Sequence, residues 1–276
     1  MTLAVNSIPG FKFGCDPELF ILNEEGTPVC ADGLIPGDKS NPHKVDGGAV
    51  QVDGFAAEFN IDPASNYDEF SDNIDLVLAQ LKDMLPKGYT LTDKTSVTFR
   101  KDVWDAAPDR AKILGCSPDF NAWTGEVNPP PDIASLGRTR FLGGHIHIGW
   151  RDEGDAFGKN HLRNCNELVQ QLDWYLGTWS VLRDRDKQRR KAYGKAGSCR
   201  YKTYGVEYRV LSPFWVLNHN ERVRTWNRMQ SAIANMRKTF YPEMKAEFNS
   251  RLIQAIDDCK LDLDFRKENH YPIDFY

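Results

Sequence analysis

Three short segments of the sequence each carry two charged or imidazole side chains two residues apart, in surroundings typical of β-strands. The pairs are Asp16 with Glu18, His145 with His147, and Glu207 with Arg209. Successive side chains of a strand point to opposite faces of a sheet, so residues i and i+2 share one face. A fourth segment offers Glu58 and Asn60 in the same way. We therefore predict a sheet with one polar face that lines a cleft.

Carboxylates and imidazoles that converge from separate strands need a positive charge between them, and a divalent metal ion is the usual source. The candidate metal ligands are Asp16, Glu18, Glu58, His145 and Glu207. Because most of this set consists of carboxylates, it favours Mg²⁺ or Mn²⁺ over zinc.

A basic stretch leads into the segment that contains Glu207. Its members include Arg189, Arg190, Lys195, Arg200, Lys202 and Arg209, with Gly194 and Gly197 between them. Guanidinium groups bind phosphate oxygens in a bidentate manner, and glycines let backbone amides approach a ligand closely. Metal-binding acids beside a row of arginines are typical of phosphoryl transfer.

Composition and charge narrow the partners and the compartment. The formal net charge of −4 argues against nucleic acid, because phosphate backbones bind basic surfaces. The sequence has no apolar run long enough to span a bilayer and no secretory signal at its N-terminus. Its six cysteines are scattered without a Cys-x-x-Cys pair, which indicates reduced thiols. We predict a protein of the cytoplasm that has no membrane partner.

The pattern along the chain predicts an α+β fold in one domain over residues 1–276. The predicted helices cover residues 66–85, 162–179, about 220–240 and about 243–259, so that the C-terminal part, about 216–276, is helical. A hairpin is predicted from residues 20–22 and 29–31, and a strand from residues 90–99.

The ordered motifs carry a resemblance to a known family. They follow one another as Asp-x-Glu, Glu-x-Asn, Gly-Gly-His-x-His-x-Gly, an arginine-rich loop and Glu-x-Arg. This set resembles the glutamine synthetase and glutamate–cysteine ligase superfamily, and it is most similar to the phage-encoded carboxylate–amine ligases of type 2. The resemblance implies a mainly antiparallel, curved sheet whose concave face holds the active site, with helices packed on the other side.

The resemblance also implies an activity and a set of site residues. The activity is an ATP- and Mg²⁺-dependent ligation (with Mn²⁺ as the other candidate metal) that joins a carboxylate to an amine through an acyl phosphate. The implied metal ligands are the five named above, and the implied catalytic residues are Glu58, Arg200, Glu207 and Arg209. The implied ATP contacts are His147, Arg190, Lys195, Arg200 and Arg209, and the implied substrate contacts are Asn60, Arg138 and Arg140.

The expected partners are small-molecule or peptide carboxylates and amines, and a homo-oligomer is left open. If the protein is phage-encoded, the compartment is the host cytoplasm. Three other functions fit parts of the pattern. A guanidino kinase would keep the phosphoryl transfer but release a phosphorylated acceptor. A cupin-like metal enzyme would combine His145 and His147 with a carboxylate such as Glu153, leaving the arginines unexplained. A non-catalytic ligand-binding relative would have no need for acids, histidines and arginines together.

Overall fold

A large antiparallel sheet dominates the part of the chain that the computed structural model describes, residues 3–113, 119–130, 132–151, 153–237 and 246–261. The strands are β1 (Lys12–Leu22), β2 (Pro28–Val29), β3 (His43–Val45), β4 (Gly48–Asp53), β5 (Ala56–Ile61), β6 (Thr90–Thr92), β7 (Ser96–Thr98), β8 (Phe120–Asn121), β9 (Thr139–Phe141), β10 (Gly144–Gly149), β11 (Ser198–Lys202) and β12 (Gly205–Tyr208). The main order is β3-β4-β5-β1-β10-β12-β11-β8; β2 and β6 also pair with β1, and β7 pairs with β9 in a separate sheet.

Strand β1 shows why this sheet has two different faces. Phe13, Cys15 and Leu19 are buried in the main hydrophobic core. Asp16 and Glu18 alternate with them, and both carboxylates line a cavity on the opposite face. The alternation therefore separates an apolar face from a polar one, as the spacing of the acids predicts.

Nine α-helices accompany the sheet in the described ranges. They are α1 (Tyr67–Met84), α2 (Lys101–Ala106), α3 (Asp109–Lys112), α4 (Ile133–Leu136), α5 (Lys159–Leu172), α6 (Thr178–Ser180), α7 (Lys187–Ala192), α8 (His219–Arg237) and α9 (Ala246–Asp257). A π-helical turn, Asp173–Gly177, joins α5 to α6. Helix α1 packs on β4 and β5, whereas α5 packs on β11 and β12. Within the described ranges, none of the helices has the length and apolarity that crossing a membrane requires.

Helix α1 illustrates how the sequence sets an element. The side chain of Asn66 accepts a hydrogen bond from the backbone N–H of Glu69 at 3.0 Å and so caps the first turn. Phe70, Ile74 and Leu78 recur at helical spacing and are buried against the sheet. The helix is the one predicted for residues 66–85.

The remaining predicted elements have mixed outcomes. The hairpin is confirmed, because Ile21 pairs with Val29. The predicted α+β class with a mainly antiparallel sheet is also confirmed. A single strand over residues 90–99 is wrong: the chain leaves β6 after Thr92, and β7 joins the other sheet. Residues 238–245 and 262–276 lie outside the described ranges, so the ends of the last two predicted helices and the C-terminal tail stay predictions.

Candidate active site

The pairing of the strands places a row of polar side chains across the polar face of the sheet. The register places Gln51 opposite Glu58, Glu58 opposite Glu18, Asp16 opposite His145, His147 opposite Glu207, and Glu207 opposite Arg200. Residues directly opposite each other on antiparallel strands project from the same face. Strands β4, β5, β1, β10, β12 and β11 thus supply one continuous polar row, which we call the active-site row.

The active-site row borders a cavity of about 800 Å³. All members of the row except His147 and Glu207 are among the described residues that line this cavity. The basic lining residues of the cavity are Lys39, Arg140, Lys191, Lys195, Arg200, Lys202 and Arg209. Its acidic lining residues are Asp16, Glu18, Asp53, Glu58, Asp119 and Asp132, and its apolar ones include Phe55, Ile113, Val127, Leu136 and Phe141. Both signs of charge and an apolar surface therefore share one cavity, which is the composition of a site for a charged organic ligand.

Asp16 lies between the two histidines of β10. Its Oδ1 is 3.0 Å from Nε2 of His147 and 3.3 Å from Nδ1 of His145. Burial disfavours the charged form of Asp16, but the imidazoles of His147 and His145 outweigh burial and hold the pKa of this carboxyl well below its usual range. Burial, reinforced by the positive charge of Arg209, lowers the pKa of His145 to about 4, so its ring is neutral near pH 7.

Glu207 is fully buried and surrounded by positive charge. Its Oε1 accepts a hydrogen bond from Nη1 of Arg209 and lies 3.4 Å from Nη1 of Arg200, and its Oε2 lies 2.8 Å from Nζ of Lys202. Burial and the charge of Asp16 favour protonation of Glu207, yet the cation of Arg209 and the two histidines lower its pKa to about 2. Glu207 is therefore an ionised carboxylate that holds the basic side chains together.

Arg209 uses each nitrogen of its guanidinium group on a different partner. Nε lies 2.8 Å from Oδ1 of Asp119, Nη1 donates to Glu207, and Nη2 donates to the hydroxyl of Tyr193 at 2.9 Å. Nη1 also lies 3.3 Å from Nδ1 of His145. The planar, forked shape of arginine is what allows these contacts at once.

The other end of the active-site row is rich in acids. Glu18 accepts a hydrogen bond from the backbone N–H of Gly143 at 2.7 Å, and Glu58 accepts one from Nε2 of Gln51 at 2.8 Å. Burial, followed by the nearby charge of Asp53, raises the pKa of Glu18 to about 8. Burial, followed by the charge of Asp16, raises the pKa of Glu58 well above its usual range. Arg209 and Lys39 favour the charged form of Glu18 but do not outweigh burial, and Lys39 pairs with Asp53 at 2.8 Å.

These residues fit a divalent cation. The Oδ1 of Asp16 and the Nε2 of His147 are buried, and neither makes a hydrogen bond within the described structure. The ligand atoms that Asp16, His147 and Glu207 offer all lie within 4.8 Å of one another. Two carboxylates and an imidazole are suitable donors for Mn²⁺ or Mg²⁺. The sequence assigns His145 to the metal and His147 to ATP. In the structure, one ring nitrogen of each histidine faces the same oxygen of Asp16.

The structure does not bring Arg190 to the cavity, although the sequence assigns it to ATP. Arg190 is fully buried, and its Nη1 donates to the backbone carbonyls of Gly194 and Val210, both at 2.5 Å. Its Nη2 donates to the hydroxyl of Ser180 at 2.7 Å. The physical reason is that α7 turns Arg190 inward, where it anchors the helix. Lys195 does line the cavity.

The predicted substrate contacts are less well placed. Arg140 lines the cavity, but its guanidinium donates to the carbonyls of Gly137, Thr139 and Lys112, and it stacks 4.4 Å from the ring centre of Trp104. These contacts already occupy both of its terminal nitrogens. Arg138 and Asn60 are half-buried and lie outside the set of described residues that line the cavity.

Sequence reasoning gave no specific role to several residues of the site. They are Lys39, Gln51, Asp53, Tyr193 and Tyr204. Tyr204 begins the Tyr-Gly-Val-Glu-Tyr-Arg motif, which could have drawn attention to it. Tyr193 lies beyond the end of α7 without any motif of its own, so its position depends on how the helix docks. Glu153, the carboxylate of the cupin-like alternative, is exposed to solvent.

One comparison with known protein families supports a ligase. A family model described as "Phage phiEco32-like COOH.NH2 ligase-type 2" matches residues 138–270. This range contains β10 and β12, with both histidines, Glu207 and Arg209, and it begins after β1 and β5. A search of curated proteins found no match. The family match supports the predicted class of enzyme, a carboxylate–amine ligase.

A solved structure shares the fold. The crystal structure of a bifunctional glutathione synthetase from Pasteurella multocida is similar with a TM-score of 0.55 at 10% sequence identity. The similarity covers 91% of this chain and 41% of that one, so this chain spans less than half the length of the synthetase. The likeness is one of fold. Membership of the glutamine synthetase superfamily stays a prediction.

Proposed function

We propose that the protein is an ATP- and divalent-metal-dependent carboxylate–amine ligase. One observation carries the proposal: acids, histidines and basic side chains meet in a single row along one cavity. Acids and histidines can hold a metal ion, and the basic side chains can bind phosphate oxygens. The family match supports the ligase assignment, because it covers the histidines, Glu207 and Arg209.

In this proposal Asp16, His147 and Glu207 hold one metal ion, with His145 beside them, and Glu18 and Glu58 are candidates for a second. A bound Mg²⁺ or Mn²⁺ would neutralise charge on phosphate oxygens. Lys195, Arg200 and Lys202 line the same cavity and bind the phosphates of ATP, and Arg209 adds its positive charge beside them. The apolar wall excludes water from the reacting groups.

The proposed reaction has two steps. The substrate carboxylate accepts the terminal phosphoryl group of ATP, which releases ADP and leaves an acyl phosphate. The amine then attacks the acyl carbon, loses a proton and displaces inorganic phosphate, so that an amide or isopeptide bond forms. Arg200 and Arg209 stabilise the negative charge of the transferred group, a role in which positioned cations are effective. The substrates are small-molecule or peptide carboxylates and amines.

The first test is calorimetric titration of the protein with ATP in the presence and absence of Mg²⁺. We expect binding that depends on the metal, followed by ADP release when acids and amines are supplied in pairs. Mass spectrometry of the products then identifies an amide. A folded protein that binds no ATP would overturn the proposal. Release of ADP with a stable phosphorylated acceptor and no amide would replace it with a phosphotransferase.

A further inference from the structure

Two tyrosines from different segments each bind the outer nitrogen of one histidine. The hydroxyl of Tyr193 is hydrogen-bonded to Nε2 of His145, and the hydroxyl of Tyr204 is hydrogen-bonded to Nδ1 of His147. The inner nitrogens, Nδ1 of His145 and Nε2 of His147, lie 3.3 Å and 3.0 Å from the same oxygen of Asp16. Both rings are thus held from behind by a hydroxyl and face one carboxylate oxygen.

The contacts of Arg209 decide which nitrogen of His145 carries the proton. A guanidinium group can only donate hydrogen bonds, and Nη1 of Arg209 is hydrogen-bonded to Nδ1 of His145 at 3.3 Å. Oδ1 of Asp16 lies equally close to this nitrogen but accepts no hydrogen bond from it, so Nδ1 is the acceptor. In the neutral ring the proton is then on Nε2, where it is donated to Tyr193. Tyr193 also accepts from Nη2 of Arg209 at 2.9 Å. The lone pair on Nδ1 of His145 consequently faces the side of the ring where Asp16 lies.

Gly143 gives independent support for the Tyr193 contact. A Cβ atom at this glycine would lie 2.8 Å from the hydroxyl of Tyr193 and 2.6 Å from Cε1 of His145, too close for either. Gly143 has no left-handed backbone that would by itself require glycine. The glycine before the histidine strand is therefore explained by the space that the tyrosine–histidine hydrogen bond occupies.

We propose that Tyr193 and Tyr204 are positioning residues: each fixes the ring orientation of one histidine so that its inner nitrogen faces Asp16, and Tyr193 also fixes the tautomer of His145. Histidines that bind metals almost always have a partner on their other nitrogen, and loss of such a partner weakens metal binding about 10–100-fold. Here the partners are tyrosine hydroxyls. The consequence for metal binding rests on the proposed function, whereas the ring orientations do not.

The test uses Tyr193→Phe and Tyr204→Phe, which remove one hydroxyl each with little change in volume. Tyr201→Phe is the matched control, because its hydroxyl bonds Asn166 at 2.8 Å on the helical side of the sheet. Nitrogen-15 NMR of the histidine rings in metal-free protein reports the tautomers, with resonances assigned through His145→Gln and His147→Gln. Titration with MnCl₂ by calorimetry reports metal affinity, and thermal melting checks that each variant is folded.

We expect one Nε2–H tautomer for His145 in the wild type and a mixture in Tyr193→Phe. We expect a fall of about tenfold or more in Mn²⁺ affinity for both test variants, and none for Tyr201→Phe. Unchanged ring spectra and unchanged affinity in both folded test variants would overturn the positioning role, whatever the activity. A changed tautomer in Tyr193→Phe supports that role even if the wild type forms no amide, an outcome that overturns only the proposed function.

Discussion

Glu18 and Glu58 lie directly opposite each other on β1 and β5, so two carboxyl groups of like charge share one position of the sheet. Like charges at directly opposite positions destabilise an antiparallel pair. Burial and neighbouring acids raise the pKa of both side chains, that of Glu18 to about 8. In the metal-free protein this pair therefore retains protons near neutral pH, and a bound cation would take their place.

This pair predicts how stability depends on pH. A group whose pKa is higher in the folded state stabilises the fold below its unfolded pKa, about 4.5 for these glutamates, and the stabilisation is lost as the pH rises through about 8. In excess chelator, we therefore expect the melting temperature to fall across this interval. Melts with and without MnCl₂ measure it, and Mn²⁺ should flatten the fall. Glu58→Gln should flatten it as well; an equal slope in that variant would contradict the prediction.

Glu207→Gln should affect both activity and stability. The variant leaves Arg209, Arg200 and Lys202 without the carboxylate that they surround. We expect a loss of activity of roughly 100-fold or more, and a loss of about 3 kcal/mol in the free energy of unfolding. Turnover assays and urea denaturation measure the two effects. Glu221→Gln is the control, because Glu221 also bridges two arginines but on α8. If both variants lost the same activity and the same stability, Glu207 would have no special role in the site.

Arg209→Lys should reduce activity by roughly 100-fold although the charge is kept. A lysine offers one ammonium group and cannot reach Asp119, Glu207 and Tyr193 at the same time. Arg183→Lys is the control, since Arg183 pairs with Glu221 and stacks on Trp179 outside the cavity lining. Steady-state kinetics on both variants is the measurement, and near-normal turnover of Arg209→Lys would count against its catalytic role.

Substitutions at Arg190 and Lys195 should have different effects: the first should lower stability, and the second should weaken ATP binding. Arg190→Lys loses hydrogen bonds to buried carbonyls, so we expect a cost of about 2 kcal/mol in unfolding free energy and unchanged ATP affinity. Lys195→Ala should leave stability unchanged and weaken ATP binding roughly tenfold, because a charge-assisted hydrogen bond is lost. Chemical denaturation and calorimetry on both variants test this pair. Weaker ATP binding by Arg190→Lys, with its stability unchanged, would place Arg190 in the nucleotide site.

The residues that could be predicted from the sequence are those that local periodicity fixes. Spacing of two placed Asp16 with Glu18, and His145 with His147, on one face of a strand, and a helical repeat placed α1. The opposition of Glu18 and Glu58 could not be predicted, because it depends on which strands become neighbours and in which register. The buried position of Arg190 could not be predicted for a related reason. A run of basic residues does not reveal which members of a short helix turn inward.

The active-site row also constrains how the sheet can fold. A slip of one residue between β1 and β10 would turn Asp16 and Glu18 toward the helices and send Cys15 and Pro17 into the cavity. Placing unpaired carboxylates in that apolar layer costs more free energy than a misaligned pairing can recover. The charged residues therefore favour one alignment of the strands, so that the side chains needed for activity also specify the register.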